Sequence, residues 1–123
     1  MLRVLVVDDH PAILRHVRTW VHSTHIAEVV GTESDPTAAA GAWEALRPDV
    51  VLCDVHMPVL DGVELCTKLR QEHPDAAVLL FSAREDATVR SRAARAGATG
   101  VISKTASPAE LAEALQRAAG QVP

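Results

Sequence analysis

The chain has 123 residues, one domain's length, and 48 % of them are apolar, so a core can form without disulfide or metal staples. Acidic residues outnumber basic ones, 16 to 12, and no Lys/Arg cluster stands out, which argues against nucleic-acid binding by this segment alone. No apolar run approaches about 18 residues, and the N-terminus turns acidic too early for a signal peptide, so the chain reads as cytoplasmic with no membrane contact.

Five short runs rich in β-branched residues punctuate the chain: Leu2–Val7, Ile26–Gly31, Val50–Cys53, Val78–Phe81 and Gly100–Ile102. Continuous apolar runs of this length predict strands buried on both faces, as in a parallel sheet. The first helix should start near Pro11, with Ile13, Val17, Trp20 and Val21 at helical spacing. Asp35 should cap the second, with Pro36 in its first turn, Ala39, Ala42, Trp43 and Leu46 on its buried face, and Pro48 as its stop. A third follows Asp61-Gly62, uses Val63, Cys66 and Leu69, and stops before Pro74. The fourth spans roughly 85–96 and closes on Gly97 as a left-handed cap. Ser107-Pro108-Ala109-Glu110 is a capping box that opens the fifth, anchored by Leu111 and Leu115. Strand and helix alternating five times imply right-handed crossovers and an α/β sheet covered on both sides. Trp20 and Trp43 read as core. Cys53 and Cys66 have no metal or redox spacing and read as reduced apolar residues. The six histidines match no compact zinc-ligand set.

Ligands of an open α/β sheet sit outside the carboxyl ends of its strands. At those ends lie Asp8-Asp9, Asp54, Ser82-Ala83 and Ser103-Lys104-Thr105. Three carboxylates, a hydroxyl and an ammonium thus converge on one rim. Clustered carboxylates repel, and a hard cation such as Mg²⁺ relieves that conflict while leaving room for a phosphoryl oxygen. Phosphoryl transfer needs positioning and charge stabilisation, and a carboxylate can be its nucleophile. Asp54, at the end of a middle strand, is the expected acceptor.

The stretch Asp54-Val55-His56-Met57-Pro58-Val59-Leu60-Asp61-Gly62 resembles the D-x-x-M-P-x-x-D-G signature of receiver domains in two-component response regulators. The likeness extends along the whole chain, through Asp8-Asp9, Ser82-Ala83 and Lys104. Val7-Asp8-Asp9-His10-Pro11 and Lys104-Thr105-Ala106-Ser107-Pro108 are most similar to the NarL/FixJ subgroup. The resemblance implies a flavodoxin-like (βα)5 fold of strand order 2-1-3-4-5 over residues 1–120. Residues 121–123 would be a linker or tail, with the DNA-binding output domain that such regulators carry lying outside the chain. It implies that Asp54 takes a phosphoryl group from a sensor histidine kinase. Asp9, Asp54 and the His56 backbone carbonyl would ligate Mg²⁺, with Asp8 acting through water. Lys104 and Ser82 would hold the phosphoryl oxygens, and His56 and Arg84 would tune dephosphorylation. Receivers pair through the first and fifth helices or through the fourth-helix face, and the sequence leaves homodimerisation by either route open. DNA contact would come only through the output domain.

One position departs from the pattern. Receivers usually carry Tyr or Phe three residues before the Lys, and it moves with the hydroxyl residue; here it is Val101. A broken relay would confine a phosphomimetic's effect to amides near Asp54 and Ser82. It also raises the alternative of a phosphorylation-independent binding module. A phosphohydrolase with an Asp nucleophile is a further alternative, but those enzymes place D-x-D at the first strand and carry a cap segment, and neither occurs here.

Overall fold

The computed structural model describes residues 1–83 and 87–120. Among them the order is β1 (Leu2–Val7), α1 (Pro11–His22), β2 (Ala27–Glu33), α2 (Ala39–Leu46), β3 (Val50–Asp54), α3 (Gly62–Glu72), β4 (Val78–Ser82), α4 (Ala87–Arg95), β5 (Gly100–Ser103) and α5 (Pro108–Ala118). The strands form one parallel sheet in the order β2-β1-β3-β4-β5, as the sequence implied. Arg84, Glu85 and the 121–123 tail lie outside the described residues.

Alternation along the strands sorts the core into two layers, because successive side chains point to opposite faces. Leu5, Val7, Val51, Cys53, Val78 and Leu80 pack under α2, α3 and α4. Val4, Val6, Val50, Leu52, Leu79 and Phe81 pack under α1 and α5. The two tryptophans divide between the layers, Trp43 in the first and Trp20 in the second.

Three local departures from the sequence reading have physical causes. β2 lies one residue later than expected at its start and runs on to Glu33. Its register against β1 jumps from Val29 to Gly31, and the strand continues past this irregularity until the Glu33 carbonyl accepts from the Asp8 N–H at 3.1 Å. Asp35 does cap, accepting from the Thr37 N–H at 2.9 Å, but what it caps is a 3₁₀ turn over Pro36–Ala38 that precedes α2. α3 begins in a full capping box, Asp61 with Glu64, that the sequence reading passed over. Elsewhere the signals hold. Ser107 and Glu110 cap α5 reciprocally, and Gly97 has φ of 84° after α4.

Candidate functional site

Because all five strands run parallel, their carboxyl ends form a single rim. β1 delivers Asp8 and Asp9 just beyond Val7, β3 ends on Asp54, β4 ends on Ser82, and β5 hands over to Lys104. Asp54 pairs in register with Phe81, which sets Ser82 beside it, and Ser82 pairs with Ser103. The Lys104 N–H donates to the Ser82 carbonyl at 3.0 Å, so the lysine leaves the sheet at a fixed point.

Asp8 and Ser82 are fully buried and Asp54 is 2 % exposed, which is unusual for carboxylates. Lys104 Nζ lies 3.6 Å from Asp54 Oδ1, and the His56 N–H donates to the same oxygen at 3.3 Å. Burial, and then the charge of Asp8, push the Asp54 carboxyl above its ordinary value; Lys104 and the His56 N–H pull the other way. Burial likewise drives the Cys53 thiol well up, so that side chain is an inert part of the core.

The acidic pair has an unmet demand. The His10 N–H donates to Asp8 Oδ1 at 2.9 Å, but Asp8 Oδ2 is buried with no hydrogen-bond partner. Asp9 Oδ1 is also buried and unbonded, although His10 Nδ1 stands 3.1 Å away. Ligand atoms of Asp8, Asp9 and His10 all lie within 4.8 Å of one another. Two orphaned carboxylate oxygens on neighbouring residues fit a hard divalent cation, which takes oxygen ligands and keeps its waters. His10 lines the rim, its Nδ1 3.4 Å from Asp8 Oδ1 and 3.1 Å from Asp9 Oδ1. A second group, Glu44, Glu72 and His73, lies between α2 and α3, where His73 also stacks on Trp43 at 4.3 Å.

The loop after Asp54 is drawn tight by Gly62. A Cβ there would fall 2.1 Å from the Asp54 carbonyl oxygen, so only glycine lets α3 begin this close to the end of β3. The Gly62 N–H donates to the Val55 carbonyl at 2.9 Å. Between these fixed points Met57 and Leu60 are buried, while Val59 is thrown outward, 94 % exposed, at φ of 71°. Asp61 both caps α3 and pairs with Arg92 of α4 at 2.8 Å.

The chain that builds this rim, an acidic pair with Asp8 buried beside a buried carboxylate held by a lysine, matches a known family along nearly its whole length. The family model for the response regulator receiver domain matches residues 4–116. The chain belongs to that family. Among its relatives is the response regulator GacA of Pseudomonas viridiflava, 36 % identical over 116 residues, which cover 94 % of this chain and 54 % of the relative. The protein-glutamate methylesterase/protein-glutamine glutaminase of Bdellovibrio bacteriovorus is 38 % identical over 104 residues, 84 % of this chain and 29 % of that protein. The chain thus spans about half, or less, of the length of these relatives. The signal receiver domain of the response regulator NarL from Mycobacterium tuberculosis superposes with a TM-score of 0.87 at 31 % identity, covering 98 % of both chains. The receiver domain is a signalling module in this family, and the methylesterase relative joins one to an enzyme.

The structure brings Asp54, Lys104, Asp8, Asp9 and Ser82 to the rim, as the sequence placed them. Of His56 it fixes the backbone N–H on Asp54. The sequence reading did not find Phe81, whose ring lies 5.3 Å beneath Lys104 Nζ, nor the contact of that ring with Trp20. No spacing along the chain encodes either contact.

Proposed function

We propose that this receiver domain, residues 1–120, accepts a phosphoryl group on Asp54 from a sensor histidine kinase in a Mg²⁺-dependent step. The observation that carries this reading is the buried Asp54–Lys104 pair beside Asp8, whose Oδ2 has no partner. An Asp54 carboxylate oxygen forms the new bond to phosphorus. The bond from phosphorus to the donor's imidazole nitrogen breaks, and its electron pair stays with that nitrogen. Lys104 moves its charge from the carboxylate to the incoming phosphoryl oxygens, and the Ser82 hydroxyl donates to one of them. Asp8, Asp9, Asp54 and the His56 carbonyl would hold Mg²⁺, with His10 at the edge of the group. Bound there, the cation supplies positive charge to the transferring oxygens.

The domain acts as a switch whose own chemistry is limited to gaining and losing this phosphate. It works in the cytoplasm and controls an output domain that binds DNA, and phosphorylation favours a homodimer. A phosphorylation-independent binding role would leave the buried carboxylate pair without a purpose, since two such groups close together cost stability.

Incubation with Mg²⁺ and acetyl phosphate, followed by intact mass, tests the reading. A single added phosphate is expected, absent without Mg²⁺ and absent in Asp54→Asn. A phosphate that persists in Asp54→Asn, or turnover of a phosphate ester, would overturn it.

A further inference from the structure

The position where receivers carry a moving aromatic holds Val101, half-buried beside an open depression of about 330 Å³ lined by Arg90, Ala93, Ala94, Ala98 and Thr99. Among the described residues that line it, none is aromatic. On the opposite face of the sheet, aromatic rings connect directly to the site.

Lys104 makes two attractions at once, an ion pair to Asp54 at 3.6 Å and a cation–π contact to the Phe81 ring at 5.3 Å. Phe81 is fully buried, and its ring meets Trp20 of α1 edge-on, with centroids 6.3 Å apart at 74°. The Trp20 Nε1–H then donates to the Ala106 carbonyl at 2.9 Å. Ala106 is two residues beyond Lys104 and one before Ser107, the cap of α5. The contacts close a ring: Asp54, Lys104, Phe81, Trp20, Ala106 and back along the chain to Lys104.

We propose that the phosphorylation state of Asp54 is passed to α1 and the start of α5 through Phe81 and Trp20, a reading that rests on Asp54 being the acceptor. Phosphorylation moves negative charge outward from the carboxylate, and Lys104 follows it. That weakens the hold of the ammonium on the Phe81 face. It also pulls the 104–106 segment at one end while Trp20 holds it at the other. Phe81 and Trp20 sit in a close-packed layer with α5 residues Leu111 and Leu115, so neither ring can shift alone. The strain is relieved by moving Trp20, the Ala106 carbonyl, or both. Helix α5 is therefore not silent, contrary to what Val101 alone implied.

Trp20 is its own reporter once Trp43 is removed. The Trp43→Phe protein is treated with Mg²⁺ and acetyl phosphate, and intact mass and Trp20 emission are followed together. Emission should change in proportion to the phosphorylated fraction. In a second measurement, beryllofluoride with Mg²⁺ should shift the amides of residues 106–111 in the wild type. In Trp20→Phe, which keeps a ring but loses the N–H donor, those shifts should be lost while amides beside Ser82 still respond. Full labelling with unmoved Trp20 emission would overturn the relay alone, as would 106–111 shifts that survive in Trp20→Phe. No added phosphate at all would overturn the acceptor reading and this inference with it.

Discussion

Val59→Gly should stabilise the protein, although it deletes an apolar side chain. The Leu60 N–H donates to the Pro58 carbonyl at 2.7 Å, closing a three-residue turn with Val59 at its centre and φ of 71°. Turns of this hand at the central residue are rare and strained, and a β-branched side chain is the poorest occupant. Such strain costs about 1–3 kcal/mol. Glycine removes it but adds about 0.5–1 kcal/mol of unfolded-state entropy. The Val59 side chain is 94 % exposed, so no packing is lost to offset the gain. The net expectation is a gain of about 1 kcal/mol. With a urea m-value of about 2 kcal/mol/M, the unfolding midpoint should rise by roughly 0.5 M at unchanged m. Circular dichroism in urea reads this directly. A midpoint that stays put or falls would refute the strain argument.

Gly62→Ala should do the reverse. Its Cβ must displace either the Asp54 carbonyl or the start of α3, so urea unfolding should show a loss of about 2–4 kcal/mol, with slower labelling by acetyl phosphate. Asp8→Asn removes a buried charge that raises the Asp54 carboxyl, and should stabilise the metal-free protein by about 1 kcal/mol. Mg²⁺ should raise the melting temperature of the wild type, and the same change should abolish that rise, as read by thermal scans with and without the ion. Asp61 supplies an acid-sensitive contribution. Burial raises its carboxyl, but the Arg92 hydrogen bond, the Glu64 and Val63 N–H groups and the Arg92 charge together bring it below its ordinary 3.8. A lowered folded value means the contribution is complete above the unfolded value and is lost as pH falls through the folded one. Urea titrations between neutral pH and about pH 3 should show Asp61→Asn losing less stability on acidification than the wild type; identical slopes would contradict this.

The sheet was legible because buried parallel strands leave continuous runs such as Leu2–Val7 and Val50–Cys53, and the rim followed from the residues that come directly after each run. β2 blurred because it is an edge strand with only β1 beside it, so polar Glu28, Thr32 and Glu33 sit in it without cost. The Asp61–Glu64 box is written in the sequence at capping spacing, overlaid on the turn signal of Asp61-Gly62. Val59 in a positive-φ turn runs against its propensity. It is imposed from outside, by burial of Met57 and Leu60 on either side and by the close approach at Gly62. The Trp20–Ala106 hydrogen bond joins residues 86 apart, and no periodic pattern encodes it.

The parallel arrangement of the rim also fixes when in the life of the chain it comes into being. The site residues wait at the ends of four different strands, and every strand after the first is reached only through a crossover. Asp54 emerges from the ribosome well before Lys104, which completes its ion pair. Sheets built from such distant pairings assemble late and together. A growing chain that has displayed Asp54 thus still lacks the lysine that pairs with it, and the rim is complete only once β5 has docked.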